Sequence, residues 1–243
     1  MATSVVQAVE SFWHRAGEVE PFPRVLERPL ALALPVALVK LHDLDLHHVE
    51  HYLDDRGIAF RFGCDNRRLH GCLLCFAGRG FLFLAATDQP DEQRYTIAHE
   101  IGHFMLDYLQ PREQAVSAFG PAVIQLLDGH RRPSVDERIH ALLRRIPIGV
   151  HVGLIDRAGG ARDTVHEKEC RADDFARALL APEDVVMRGV RHAGEHRAAA
   201  PARLAARLRS KFGLPAHAAN TYARQLLRSI GATPRWIDSI NWR

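Results

Sequence analysis

The segment Tyr95-Thr-Ile-Ala-His-Glu-Ile-Gly-His103 places two histidines four residues apart, with a glutamate directly after the first. On a helix, residues four apart lie on the same face, so His99 and His103 can offer two imidazole nitrogens to one zinc ion. Glu100 lies about 100 degrees further around the helix, where its carboxylate can reach a water on the metal rather than the metal itself. The segment therefore predicts a Zn²⁺ site with Glu100 as the general base of peptide hydrolysis.

The residues around this segment predict a helix that runs beneath an active site. Pro90 and the acidic pair Asp91 and Glu92 are typical of a first helical turn. The residues that flank the histidines are uncharged, as expected for a buried helix. Gly102 costs about 1 kcal/mol relative to alanine within a helix, so its presence indicates close packing near the metal.

A catalytic zinc ion needs a third protein ligand. Asp107 shares the face of His99 but lies roughly 11–12 Å beyond it, too far to bind the same ion. Glu169 is a better candidate, and Asp173 follows it by four residues on the same face of a second helix. Asp173 would then accept the free imidazole N–H of a ligand histidine.

Two alternatives to Glu169 remain open, because Glu167 and His166 lie within one turn of it. The second helix itself is predicted over residues 167–180 by apolar residues at helical spacing. These are Ala172, Phe175, Ala176, Leu179 and Leu180.

Upstream of the histidines, the pattern predicts a helix over residues 44–53 and then short strands over residues 58–62, 73–76 and 81–85. Residues 77–80 are typical of a hairpin turn between the last two strands. We therefore expect an α+β, zincin-like metallopeptidase fold with a small antiparallel sheet, an active-site helix and a helical C-terminal part. An exposed edge near residues 81–85 could accept an extended peptide by strand addition.

We divide the chain of 243 residues into three parts. Residues 1–40 are predicted to form an N-terminal helix and an irregular lead-in. Residues 41–190 form the metallopeptidase domain, with a helical insertion at about 113–166, and residues 191–243 form a basic helical C-terminal region. The chain shows no apolar run long enough to span a membrane and no signal-peptide pattern, so we expect a cytoplasmic protein without a membrane partner.

Four cysteines are too few for a disulfide framework in a chain of this length. Two of them, Cys72 and Cys75, lie shortly before the zinc helix. They suggest the hypothesis of an inhibitory thiol that occupies the open zinc position, although a buried cysteine is more often a small apolar residue.

Positive charge is concentrated near the C-terminus, although the net charge is only +3. Between residues 186 and 235, ten arginines and lysines are opposed by Glu195 alone. Such a region can track nucleic-acid phosphates, which predicts binding of single-stranded DNA as a possible activating signal. The alternative to a peptidase is a DNA-binding transcriptional regulator that uses these basic helices, because residues 204–222 also fit helix-turn-helix spacing.

The segment from Tyr95 to His103, together with Glu169-Cys-Arg-Ala-Asp-Asp-Phe-Ala176 and Leu179-Leu-Ala-Pro182, resembles the ImmA/IrrE family of metallo-endopeptidases. The resemblance covers roughly residues 41–227. It implies a gluzincin-like site with Glu169 as the third ligand, and a helix-turn-helix repressor as substrate. Cleavage of such a repressor would derepress a stress, DNA-damage, mobile-element or phage-defence operon.

One feature departs from the compact members of this family, because the gap between His103 and Glu169 is longer here. The residue that stabilises the oxyanion is also not evident from the sequence. Tyr95, His166 and His192 are the candidates.

Overall fold

The computed structural model describes residues 3–144, 153–154, 162–188 and 200–229. These residues form an α+β fold, as predicted, in which helices cover both faces of a small sheet. The elements in chain order are α1 (Thr3–Ala16), α2 (Glu27–Ala33), β1 (Val36–Leu41), α3 (Leu46–Asp54), β2 (Gly71–Phe76), β3 (Arg79–Ala85), α4 (Pro90–His103), a π-helical turn (Phe104–Leu109), α5 (Gln110–Phe119), α6 (Val123–Leu127), α7 (Val135–Arg144), β4 (Gly153–Leu154), α8 (Arg162–Leu180), α9 (Glu183–Arg188), α10 (Ala200–Phe212) and α11 (Ala216–Ser229).

The sheet has the strand order β1-β3-β2-β4. Strands β2 and β3 form the predicted antiparallel hairpin, and their turn uses positive φ angles at Ala77 and Gly78. Positive φ at both turn residues matches the right-handed twist of a hairpin. Strand β1 lies parallel to β3, so the sheet is mixed rather than wholly antiparallel. The lead-in, predicted to be irregular, thus contributes most of a strand and also helix α2.

Two expectations about the strands were wrong. Residues 58–62 do not form a strand, and their apolar side chains instead pack onto the face of the sheet that also carries α3. Strand β3 is not an edge strand, because β1 and β2 pair with its two sides. Residues 81–85 therefore cannot receive a substrate strand.

Alternation along the hairpin divides the buried side chains into two clusters. Leu73 and Leu82 belong to the larger cluster, which contains α4, α8 and the terminal helices. Leu74 and Phe83 belong to the smaller cluster under α3. Both faces of the sheet are thus buried, and α4 lies on the face opposite α3.

The helical path continues beyond the end of α4 at His103. After His103 the chain makes the π-helical turn and then enters α5, whose first turn contains Pro111. Proline has no N–H and clashes with the carbonyl four residues before it in a regular α-helix. A wider turn before Pro111 allows the helical path to continue, and π-helical turns are frequent at functional sites.

Helices α4 and α8 pack closely at Gly102. A Cβ atom at this position would lie 3.1 Å from Phe175 Cβ and 3.2 Å from Ala172 Cα. Any larger residue would push α8 away from α4. The glycine predicted to mark close packing therefore sets the distance between the two helices that carry the candidate ligands.

The N-terminal lead-in contacts both of these helices. The guanidinium of Arg24 is buried, donates to the carbonyl oxygen of Leu179 in the last turn of α8, and lies 4.8 Å from the ring centre of Trp13. Arg94 of α4 donates to the carbonyl oxygen of Arg24 over 2.9 Å and to that of Gly213 over 2.9 Å. Hydrogen bonds from two arginines thus connect the lead-in with α8, α4 and the α10–α11 turn.

The larger cluster also includes buried side chains of α1, α10 and α11, among them Phe12, Leu208 and Tyr222. The domain boundaries predicted at residues 40 and 190 stay predictions, and the buried side chains on either side of each belong to one cluster. Among the described residues, no helix is long and apolar enough to cross a bilayer.

Candidate metal centre

Three potential metal ligands converge between α4 and α8. His99, His103 and Glu169 each offer one ligand atom, and these atoms lie within 4.8 Å of one another. The Nε2 atoms of the two histidines are 3.1 Å apart, and each lies 3.6 Å from a carboxylate oxygen of Glu169. The rivals Glu167 and His166 are exposed and do not belong to this group in the described part of the chain.

The outer nitrogen of His99 faces a carboxylate on α8. Its Nδ1 atom lies 3.1 Å from Oδ1 of Asp173, and the hydroxyl of Tyr95 donates to the same oxygen over 3.1 Å. Asp173 also lies 3.9 Å from the guanidinium of Arg177. The structure thus places Asp173 where it can accept the Nδ1 proton and fix the orientation of the His99 ring.

The outer nitrogen of His103 has an equivalent partner that sequence reasoning missed. Its Nδ1 atom lies 2.8 Å from Oδ2 of Asp107, whose side chain is only 5% exposed. Arg171 of α8 lies 3.7 Å from the other oxygen of Asp107. In the described residues Asp107 does not belong to the group of converging ligand atoms. Its spacing of four residues from His103 would have indicated a partner for the second imidazole.

The donor set fits a cation. With both Nδ1 atoms donating to carboxylates, each neutral imidazole presents an Nε2 lone pair to the other and to Glu169. Such a group of lone pairs repels itself unless a proton or a metal ion lies between its members. Neutral imidazoles and one carboxylate are ligands that zinc prefers in catalytic sites.

The pKa values of the two histidines and of Glu169 reflect the same demand for positive charge. Burial opposes a charged imidazole, but hydrogen bonds to Asp173 and Glu169 outweigh it and raise the pKa of His99 to about 10. The pKa of His103 is also raised, against burial, by Asp107 and Glu169. Hydrogen bonds from the two histidines lower the pKa of Glu169 well below its usual range.

Glu100 lies beside this centre under the beginning of β2. Its side chain is almost buried, with 9% of the residue exposed. A Cβ atom on Gly71 would lie 3.3 Å from Oε1 of Glu100 and 2.3 Å from Thr96. Only glycine therefore allows the first residue of β2 to approach the carboxylate so closely.

A cleft of about 640 Å³ opens onto the centre. One wall is the segment that leads into β2, another is α8, and α4 forms the floor with Glu92, Tyr95 and Thr96. His217 of α11 also lines this cleft, a contribution that no sequence motif indicated. A polypeptide substrate could therefore reach Glu100 and the three converging ligands.

The two cysteines of the thiol hypothesis lie on opposite faces of β2. Cys72 is buried in the cluster under α3, and Cys75 is buried in the cluster that contains α4. Burial, followed by the charge of Glu100, raises the pKa of the Cys75 thiol far above its usual range. Cys72 also lines the cleft, but among the described residues neither sulfur belongs to the group of converging ligand atoms, and the inhibitory thiol stays a hypothesis.

The family comparison agrees with the geometry over part of the chain. Residues 39–123 match the family model described as Peptidase_M78, IrrE N-terminal-like domain. Over these residues the chain is similar to an IrrE N-terminal-like domain. The resemblance to the ImmA/IrrE family is confirmed there, and the family is one of metallopeptidases. No curated protein and no solved structure matches the chain significantly.

The IrrE-like domain contains His99, Glu100 and His103 but ends well before α8. The matched residues make up roughly a third of the chain. Glu169 and Asp173 lie outside them. Their position beside the histidines comes from the structure alone. The close packing of α4 on α8 is what adds them to the site.

The packing at Gly102 gives a first prediction. In Gly102→Ala the new methyl group has to displace α8 by a few tenths of an ångström, which moves Glu169 away from the histidines. We expect a loss of about 1–3 kcal/mol in the free energy of unfolding and weaker metal binding. Chemical denaturation and titration with Zn²⁺ measure the two effects.

The matched control is Gly63→Ala, because a Cβ atom there meets nothing within 4 Å. This variant should bind metal like the unmodified protein. Equal metal affinity in both variants would contradict the role assigned to the α4–α8 contact.

The partner of His103 gives a second prediction. Asp107→Asn removes the charge that accepts the Nδ1 proton, and we expect a metal affinity lower by about 10- to 100-fold. Competition with a chromogenic chelator measures this affinity. Asp128→Asn is the control, since Asp128 is a similarly shielded carboxylate that pairs with Arg112 over 2.8 Å away from the cleft. If both variants bind metal equally well, Asp107 does not support the site.

Proposed function

We propose that this protein is a zinc-dependent endopeptidase. The observation that carries the proposal is the convergence of His99, His103 and Glu169 at the floor of an open cleft, with Glu100 next to them. Two histidines and one glutamate, with a neighbouring carboxylate that is not a ligand, suit a zinc site for hydrolysis. Asp173 and Asp107 hold the two imidazoles in the tautomer that binds metal through Nε2.

In this proposal the chain's own residues divide the chemistry between them. Zinc, when bound, supplies a water of lowered pKa and polarises the scissile carbonyl. Glu100 takes a proton from the attacking water and delivers it to the nitrogen of the leaving amine. Its nearly buried position under Gly71 excludes bulk water from the carboxylate and fixes its direction.

The substrate would bind as an extended segment along the first half of β2. In the described residues, β4 pairs with β2 only at Leu74 and Cys75. The preceding residues, from Leu69 to Cys72, line the cleft. A strand added there would pass over Glu100, because Gly71 lies directly above it. An internal segment of a folded protein can adopt this conformation when it is locally mobile.

We further propose that the substrate is a helix-turn-helix transcriptional repressor, whose cleavage derepresses a stress, DNA-damage, mobile-element or phage-defence operon. The support is the resemblance to the ImmA/IrrE family together with the IrrE-like domain. The test is incubation with purified candidate repressors, followed by mass spectrometry of the fragments. Cleavage should fall within one of the repressor's linkers rather than inside its folded helices.

The decisive variant is Glu100→Gln. We expect it to keep its zinc and to lose about 10²–10⁴-fold in hydrolysis, since the amide cannot accept the proton. His103→Ala should lose both zinc and hydrolysis. Elemental analysis and a peptide-library digest read out the two properties, and Glu113→Gln, an exposed glutamate that pairs with Arg15, is the control.

The same variant separates the peptidase from the alternative, a DNA-binding regulator. A regulator would keep its biological activity in Glu100→Gln. The first turn of α11, where such a protein would read DNA, instead packs its His217 against Tyr95 and Glu92. This contact favours the peptidase.

Single-stranded DNA is the activating ligand that we propose for the C-terminal helices. Residues 200–229 contain no acidic side chain, and α10 and α11 expose Arg209, Lys211, Arg224 and Arg228. Exposed cations on neighbouring helices can contact successive phosphates, and binding should weaken steeply with salt.

The prediction is that the double variant Arg224→Glu/Arg228→Glu binds labelled single-stranded DNA more weakly and with a smaller dependence on salt. Each lost phosphate contact lowers the slope of log affinity against log salt by about 0.7. Fluorescence anisotropy over a salt series measures both. Arg28→Glu, on an exposed position of α2, should bind as the unmodified protein does.

A further inference from the structure

His217 enters the catalytic cleft from a part of the chain that no metal-site motif includes. It lies in the first turn of α11, is 64% exposed and lines the cleft with the three converging ligands. Its ring packs edge-on against Tyr95, with ring centres 5.6 Å apart. Tyr95 in turn donates to Asp173, which holds His99. His217 is therefore two side-chain contacts away from the carboxylate that orients a candidate ligand.

A carboxylate fixes the orientation of His217. Its Nδ1 atom lies 3.3 Å from Oε1 of Glu92, two helical turns before Glu100. In the imidazolium form the ring donates from Nδ1 to Glu92 and has an Nε2 proton for a ligand in the cleft. The pair is exposed, and exposed ion pairs contribute little to stability. A contribution to the stability of the fold therefore does not explain why the His217–Glu92 pair lies in the cleft.

We propose that His217 is a catalytic residue that donates from Nε2 to the carbonyl oxygen of the scissile bond as this oxygen becomes negative. The inference rests on the proposed peptidase function and deepens it. As the water oxygen bonds to the carbonyl carbon, the π electrons move to the carbonyl oxygen and are stabilised by the imidazolium. When the C=O bond re-forms, the C–N bond breaks, and the amine nitrogen receives the proton that Glu100 took from the water.

Other donors near the site suit this role less well. The hydroxyl of Tyr95 is already committed to Asp173. His166 does not line the cleft and lies 3.6 Å from the sulfur of Cys170, and His192 lies outside the described residues.

His70 lines the cleft but precedes Gly71, which faces the carboxylate of Glu100. An oxygen that gains negative charge is unfavourable on that side, because the carboxylate repels it. His217 approaches from the other end of α4, beyond Tyr95. Of the two cleft histidines in the described residues that are not candidate metal ligands, it is the one placed to meet the oxyanion.

The test compares five proteins loaded with zinc: the unmodified chain, His217→Ala, His217→Gln, His70→Ala and His51→Ala. The substrate is a synthetic peptide chosen from those that the unmodified chain cleaves in a proteome-derived peptide library. We expect His217→Ala to keep its zinc, lose about 10²–10³-fold in kcat and change little in KM. His217→Gln should recover part of kcat, because its amide can donate. His51, an exposed histidine of α3 beside Asp55, should be replaceable without effect.

Zinc content and thermal unfolding are measured on the same proteins, so that a structural role is recognised. Loss of zinc or of folding in His217→Ala would overturn the proposal, and so would a change in KM alone. A loss of kcat in His70→Ala with none in His217→Ala would assign the stabilisation of the oxyanion to His70 instead. If the unmodified chain with bound zinc cleaves no peptide and no repressor, the peptidase function itself fails and this inference falls with it.

Discussion

The mutual repulsion of three electron-rich groups is the constraint on which this structure depends. Two imidazole nitrogens and a carboxylate face one another within a few ångströms, and each imidazole is turned inward by a carboxylate behind it. Only a cation between them makes this arrangement favourable. The unfavourable free energy of bringing these groups together is offset by rigid backbone packing, with α4 and α8 in contact at Gly102. The polar centre is thus held by an apolar contact on its other side.

Much of this centre follows from local sequence, and the rest does not. The spacing of His99 and His103 is a property of one helix, so the sequence alone predicts that both face one ion. The position of Glu169 depends on how a distant helix packs, and only its own helical pattern and a family resemblance indicated it. Asp107 could have been found from its spacing to His103, whereas His217 could not, because nothing local to α11 indicates which surface it meets.

The sheet shows the same division between local and distant information. The β2–β3 hairpin follows from a turn that tolerates positive φ at Ala77 and Gly78. Strand β1 does not, because parallel pairing joins residues far apart in sequence and leaves no turn signal. Because β1 was not predicted, β3 was wrongly expected to be an edge strand. In a hairpin of two strands, each strand has one unpaired side. Among the described residues, the stretch of β2 without a second partner strand is its beginning, where Gly71 lies close to Glu100.

Arg94 makes the position of α4 depend on segments that lie far away in the sequence. By donating to carbonyl oxygens of the lead-in and of the α10–α11 turn, it joins segments that precede and follow the residues matched by the family model. Removal of either the lead-in or the α10–α11 turn would leave the guanidinium of Arg94 without one of its two carbonyl partners at the floor of the cleft. The matched segment alone therefore lacks contacts that hold α4 in place.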